Sequence, residues 1–449
     1  MKRRVRLVLL LTACGTAVLG GSWDDLKRSC FERANLSKGK YFLEECAEQV
    51  FTLEPVHPTV NTIAPGTGIA FGLAAGQPFR TDRFEFLPSA TLLGSSDHSY
   101  LAAGQFVIAA PPISLATVWR RSAGGGQRHG VRTVALIDDS AGVDAKASLA
   151  LRVKRLEAAD QAFYGIGAAT ARAGESWFAL RRMEVGLGLE DPLTFWSSIG
   201  VTADYVQPRT GSSPNTAPGI ATLYSGITAP GLGLRHNFTR IEPHVQFRLP
   251  VRGSDYTSFK VGYAFYDDLD GAEYSFHRLS AIATGNYVLK LPSHQSPRER
   301  SGFASFICPS LRSREHCSPG DLTLTGVADI SYTGKGAQVP FFFDETLGGT
   351  DFYGNDTLRG FADYRFRGPS RVLFQAEYRH GIWGPVGFLA FYDTGKVGVL
   401  PSDMELTHLR HDEGVGLFFR AANTVVLRAY IGFGSGEGVR PNYKLPTVN

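Results

Sequence analysis

Methionine is scarce in this chain, 3 in 449 residues, and only 5 cysteines occur. An excess of one charge is also missing: 46 Lys and Arg stand against 42 Asp and Glu, a formal net charge of +4. Such balance excludes the basic surface of a nucleic-acid binder, so no nucleic-acid partner is expected. Long apolar runs are confined to the extreme N-terminus, and nothing later approaches the ~20 consecutive apolar residues that a membrane-spanning helix requires. The sequence has no Gly-x-Ser-x-Gly elbow, no His-Glu-x-x-His pair and no Gly-rich phosphate loop with Lys. No enzyme activity, catalytic residue, cofactor or metal site is therefore expected, and His380 and His411 read as isolated interfacial or lumenal side chains. What is abundant is glycine, 51 residues, together with 12% aromatics. That profile favours strands over helices.

At the N-terminus, Arg3, Arg4 and Arg6 precede Leu7, Val8, Leu9, Leu10 and Leu11, and small residues follow to Gly21. This order predicts a secretory signal over residues 1–21. Leu11-Thr12-Ala13-Cys14 also fits a lipobox, so lipidation at Cys14 stands beside ordinary cleavage near Gly20 to Ser22. Four cysteines remain after removal of the signal, as two local pairs, Cys30 with Cys46 and Cys308 with Cys317. An even count in an exported chain predicts two disulfides in an oxidising compartment of a Gram-negative cell, with metal binding as the alternative.

From about Thr67 onward, segments roughly ten residues long alternate apolar with small or polar residues and are separated by Gly, Pro, Asp, Asn and Ser. Phe259, Val261, Tyr263 and Phe265 alternate with Lys260, Gly262, Ala264 and Tyr266. Met183, Val185, Leu187 and Leu189 stand opposite Arg182, Glu184, Gly186 and Gly188, and Val425 to Phe433 repeats the pattern. A soluble β-sandwich alternates too. Strand number, export signal and composition together favour an all-β transmembrane antiparallel β-barrel of about 16 strands, apolar side chains to lipid and glycines and charges to the lumen. It would occupy 63–449, behind a short helical or irregular periplasmic segment at 22–62. The polar stretch 293–320, which carries the second cysteine pair, reads as a connection.

Within 340–398 lie, in order, Pro340-Phe341-Phe342-Phe343, Leu347-Gly348-Gly349, Leu358-Arg359-Gly360-Phe361, Ala376-Glu377-Tyr378-Arg379 and Phe391-Tyr392-Asp393-Thr394-Gly395. This ordered set resembles the C-terminal barrel of the BamA/TamA outer-membrane assembly-factor superfamily, also called the bacterial surface antigen family. Phe163-Tyr164-Gly165-Ile166-Gly167 resembles an earlier barrel motif of that family. The resemblance implies a sixth outer loop, here about Thr333 to Pro369, that folds into the lumen and is locked there by Arg359, Gly360 and Phe361. Arg359 would meet Asp393 and lie near Glu377, with Phe391 and Gly395 on the same wall. Side-chain parity agrees independently, since Leu389, Phe391, Asp393 and Gly395 share one strand face and Gln375, Glu377 and Arg379 share another. Only arginine offers a fixed fork of donors to a carboxylate, which suits a structural lock.

The family further implies a chain that resides in the cell outer membrane and assists insertion or assembly of outer-membrane proteins, or translocates polypeptides. Its partners would be outer-membrane lipid and unfolded outer-membrane or exported polypeptides. With only about 40 residues ahead of the barrel, the chain reads as a POTRA-less member, leaving a separate periplasmic protein to supply that function. A passive pore or structural barrel on the same scaffold is the alternative. At the C-terminus, Pro441 and Pro446 disfavour a paired strand. The last strand either ends near Phe433 or continues as a weak closing seam.

Overall fold

The computed structural model describes residues 56–110, 146–194, 196–252, 255–289, 320–383, 386–421 and 424–444. The expected signal sequence, Cys14, both cysteine pairs and the connection at 293–319 lie outside these residues.

Alternating sequence becomes strand nearly everywhere it was read. In chain order the strands are β1 (Val56–Asn61), β2 (Ala70–Gly76), β3 (Phe79–Arg80), β4 (Glu85–Ser95), β5 (Tyr100–Ala110) and β6 (Ala147–Phe163). Then come β7 (Ser176–Thr194), β8 (Ser197–Ser212), β9 (Phe238–Arg252), β10 (Asp255–Asp268), β11 (Phe276–Leu289) and β12 (Gly320–Thr333). Two short strands, β13 (Glu345–Leu347) and β14 (Phe366–Gly368), pair with each other apart from the main sheet. The chain finishes with β15 (Ser370–Trp383), β16 (Val386–Gly398), β17 (Arg410–Ala421), β18 (Thr424–Gly434) and β19 (Gly438–Lys444). The sheet therefore begins at Val56, ahead of residue 63, inside the segment read as irregular.

All remaining strands form one 17-stranded sheet. Its ladders are antiparallel and follow chain order, β2 and β3 lying one after the other along β4. The one step that skips is β12 to β15, and residues 334–369 lie between them. That segment is the sixth connection at its end of the sheet. It lies against the sheet's inner face, which curls around it.

Among the described residues the sheet does not close into a barrel. β1 pairs with β2 and β19 pairs with β18, but among the described residues no ladder joins β1 to β19. The chemistry of both edges suits this, because Pro58 in β1 and Pro441 in β19 supply no N–H to a further neighbour. Pro441 stands opposite Ile431, so 438–444 is a paired last strand on one side and an edge on the other. Hydrocarbon tolerates only backbone whose polar groups are all paired, and an open edge fails that condition. The expected transmembrane barrel is corrected accordingly, and with it the outer-membrane location and the lipid partner that rested on closure. Among the described residues no helix is long and apolar enough to cross a membrane.

Side chains on the two faces are distributed as the alternation foretold. Val185, Leu187, Leu189, Val261, Val415 and Leu417 are exposed on the outer face, whereas Arg182, Asp204, Arg278, Asp329, Asp393 and Asp412 are buried on the inner one. Apolar packing inside is supplied by the enclosed segment. Its 3-10 turn Phe341–Phe343 brings three rings against Phe163, Phe178, Phe238, Tyr266 and Phe276 of β6, β7, β9, β10 and β11. Ring centroids there lie 5.0 Å apart for Phe178–Phe341 and for Phe238–Phe343, in edge-on contact. A second cluster sets Leu347, Leu358, Phe361 and Phe366 of the segment on Leu373 and Val397 of β15 and β16.

Candidate functional site

Residues 348–364 form the tip of the enclosed segment, and local chemistry shapes it. Gly348 at φ +116° and Gly349 at φ +57° adopt backbone that side chains resist, and a Cβ at Gly348 would meet the Ala362 carbonyl oxygen at 2.2 Å. The turn is cross-tied by Gly349 N donating to Leu358 O at 2.8 Å and Thr357 N to Gly349 O at 2.9 Å. Asp351 caps it, accepting from the amides of Tyr353 and Asn355 at 2.9 Å and 2.8 Å. The consequence is a compact loop that presents Arg359 to the wall.

Arg359 is 2% exposed and contacts Asp393, Glu377 and Phe391. Its Nε donates to Asp393 Oδ2 at 2.7 Å and its Nη2 to Asp393 Oδ1 at 2.8 Å, a bidentate pair. Nη1 donates to Glu377, and the guanidinium carbon stands 3.8 Å from the Phe391 ring centroid. Burial alone would lower the Arg359 pKa, but Asp393, then Glu377 and Asp356, hold its charge and raise it. Gly395 acts elsewhere: a Cβ there would come 2.5 Å from the Val372 oxygen and 3.2 Å from Leu347. Gly360 permits close approach of the tip to the wall, since its Cβ would fall 2.7 Å from Asp412 Cβ and 2.7 Å from the Gly434 amide nitrogen. Phe361 is buried against Phe366, ring centroids 5.3 Å apart.

Several members of the site were not read from sequence. Gln375 Nε2 donates to Asp393 Oδ1 at 3.2 Å and to the Thr357 oxygen at 3.0 Å, tying wall and tip together. Asp412 on β17 stands directly opposite Asp393 in register and is 1% exposed. Parity was the available signal, because Asp412, Gly414 and Gly416 alternate with exposed Val415 and Leu417. On the other flank, Asp356 accepts from Lys444 Nζ at 2.6 Å and Arg428 Nη1 at 2.9 Å, and Asn442 Nδ2 donates to the Arg359 oxygen at 3.1 Å. Burial opposes ionisation of Asp356, but Lys444, then Arg428 and Arg359, pull its pKa below the usual carboxylate range.

Further along the segment, Glu345 accepts from Arg278 Nη1 at 2.6 Å and pairs with Arg371 Nη2 at 3.1 Å. Arg371 also holds Asp329 at 2.7 Å and Asp351 at 3.3 Å. Arg365 reaches Glu437 and donates to the Thr170 oxygen at 2.8 Å. The two isolated histidines sit apart from this centre. His380 packs on Tyr378 and Phe388, and His411 on Tyr392, all on the face opposite Asp393 and Glu377. They are therefore not lumenal.

No family model matches the chain, and no curated protein matches it. Among solved structures it is similar to CdiB from Acinetobacter baumannii, at 11% identity over 85% of this chain and 56% of that one, TM-score 0.48. It spans little more than half of that protein's length. It is similar to BamA from Haemophilus ducreyi lacking POTRA domains 1–3, at 11% identity over 90% of this chain and 77% of that one, TM-score 0.50. Wzi, a carbohydrate-binding β-barrel of Escherichia coli, is matched at 9% identity over 90% of this chain and 85% of that one, TM-score 0.31. An identity of 11% shows no family, and the open sheet overturns membership of the BamA/TamA superfamily as inferred from the short motifs, with the assembly, insertion, translocation and pore functions inferred from it. Unfolded polypeptide clients and a separate periplasmic partner fall with that inference, and no POTRA-like module occurs among the described residues. What the likeness carries is the arrangement of a large antiparallel sheet.

Proposed function

We propose that this protein works through conformation rather than covalent chemistry, as an open β-sheet scaffold whose enclosed segment, 334–369, is a latch. The single observation that carries this reading is the Arg359 centre, where one tip residue grips two wall strands through two carboxylates and a ring. Such a grip is costly to place inside a protein and strongly destabilising to break, by about 3–5 kcal/mol when one partner is lost. It therefore suits an element with two discrete positions, held or released, better than one that only fills space. Release would expose the charged inner wall, where Asp204 lies between Arg240 at 2.6 Å and Arg152 at 3.3 Å.

Native-state hydrogen exchange in rising denaturant tests the latch. The amides of Gly349, Thr357, Phe361 and Tyr364, bonded within the tip, are expected to exchange by an opening smaller than global unfolding while β15 and β16 stay protected. Arg359→Ala should raise their exchange by about two to four orders of magnitude, the equivalent of the ~3–5 kcal/mol of a broken buried pair. Exchange of the tip only together with the whole sheet would show a static core and end the proposal.

A further inference from the structure

We infer that Asp393 and Asp412 hold one proton between them, carried by Asp412, and that loss of this proton loosens the Arg359 tip. The inference rests on the latch reading and adds its control. Asp393 and Asp412 are direct cross-strand partners, both on the inner face, at 0% and 1% exposure. Asp393 is fully used as an anion: it accepts from Arg359 Nε, Nη2 and backbone N, and from Gln375. Asp412 has no such set of donors: among the described residues no side chain donates to either of its oxygens, and the Gly360 backbone amide faces it.

The groups around Asp412 explain why it stays neutral. From β16 it faces the Asp393 carboxylate, and from the tip the Arg359 guanidinium, whose nitrogens point to Asp393 and Glu377, and the Gly360 amide. β18 turns backbone of Phe433 and Gly434 toward the Gly360 contact, without charge. Farther out stand Glu377 and Arg379 on β15, Arg428 and Tyr430 on β18, Asp356 on the tip and Lys444 on β19, already engaged with one another. For a second anion beside Asp393, burial and the like charge outweigh the Gly360 amide and an Arg359 already paired with Asp393 and Glu377, whereas a protonated Asp412 can donate to Asp393 and strengthen the wall that Arg359 grips. Burial, and then the Asp393 charge, push the Asp412 carboxyl up to about 8.

The sign follows. In the opened state Asp412 meets water and titrates near pH ~4 as an ordinary carboxyl. Between about pH 4 and 8 the latched state holds a proton that the opened state has released, so latching weakens as pH rises. Above about 8 both states are ionised and the dependence levels off. Opening should increase by up to about tenfold per pH unit inside that window, the slope of one proton.

Two measurements on the full chain and on Asp412→Asn decide it. The infrared difference between mildly acidic and alkaline solution should show loss of a protonated-carboxyl band in the native protein that Asp412→Asn lacks. Tip-amide exchange, divided by the intrinsic rate at each pH, should rise through the window in the native protein and stay flat in Asp412→Asn. An identical infrared difference in both proteins would overturn the proton assignment. A band specific to Asp412 with identical exchange profiles would overturn its control of the tip. Absence of any sub-global tip opening at every pH would instead end the latch reading, with the infrared result still deciding where the proton resides.

Discussion

Arg359 and Gly360 do different work at adjacent positions. The arginine supplies directional charge, with a planar fork matched to Asp393 and a remaining nitrogen for Glu377. Lysine would keep the charge and lose the fork. Gly360 supplies absence: its Cα lies against Gly432, where an added Cβ would come within 2.8 Å of it. Gly360→Ala is thus expected to destabilise the closed tip by about 1–3 kcal/mol, since the obstructing atoms include backbone that cannot turn aside. A denaturation midpoint unchanged in that variant would show the tip seated more loosely than the contacts imply. At this scale the sequence was readable for Arg359, Glu377, Phe391 and Asp393, whose residue types and strand parity agree. Asp412 and Gln375 were harder, because their importance comes from what lies across the ladder and not from their own strand.

Among the elements, the long strands were the most legible. Period-two alternation in Met183–Leu189 and Phe259–Phe265 put the right side chains on the right faces, since outer-face Val185 and Phe265 are exposed and inner-face Arg182 and Tyr266 are buried. The short ones were less so: Phe341–Phe343 reads in the sequence only as a motif of the inward loop, and the structure makes it a single 3-10 turn that serves five wall strands at once. No local pattern separates a strand end from a turn of three rings, and only the partners reveal it. Phe341 is fully buried between Phe163 and Phe178, at centroid distances of 5.3 Å and 5.0 Å. Phe341→Ala should cost about 3–5 kcal/mol in global stability, read as a lowered denaturation midpoint. A loss below about 1 kcal/mol would mean that Phe342 and Phe343 repack into the space. The C-terminal strand stays open between two readings in the sequence for a related reason. Proline excludes one side of a strand from pairing, and Pro441 shows that the other side remains available.

For the whole molecule, closure was the one property that alternation could not convey. Alternation reports which face each side chain takes, whereas closure depends on whether the first and last strands exchange backbone hydrogen bonds, and here both bring a proline to the edge. The two ends are nevertheless coupled through the tip. Phe352 packs against the apolar cluster that includes Ile63, Ala64 and Ala70 of the β1–β2 end, while Gly354 and Asp356 take Lys444 and the Arg359 carbonyl takes Asn442 from β19. Phe352→Ala and Lys444→Ala should each raise hydrogen exchange at its own end of the sheet by roughly tenfold or more, for a loss of ~1.5 kcal/mol or above. The central strands β7 to β10 should be unchanged. Equal effects on all strands would show that the ends are not held independently.

The two ends of this sheet are thus fastened to a segment that belongs to neither of them. A seam stitched by backbone bonds has a fixed stagger and must be unpicked in sequence, one pair after another. A clasp has no stagger to preserve: on the latch reading, lifting Phe352, Asp356 and Arg359 together would free both ends of the sheet at once, with no ladder to unpick.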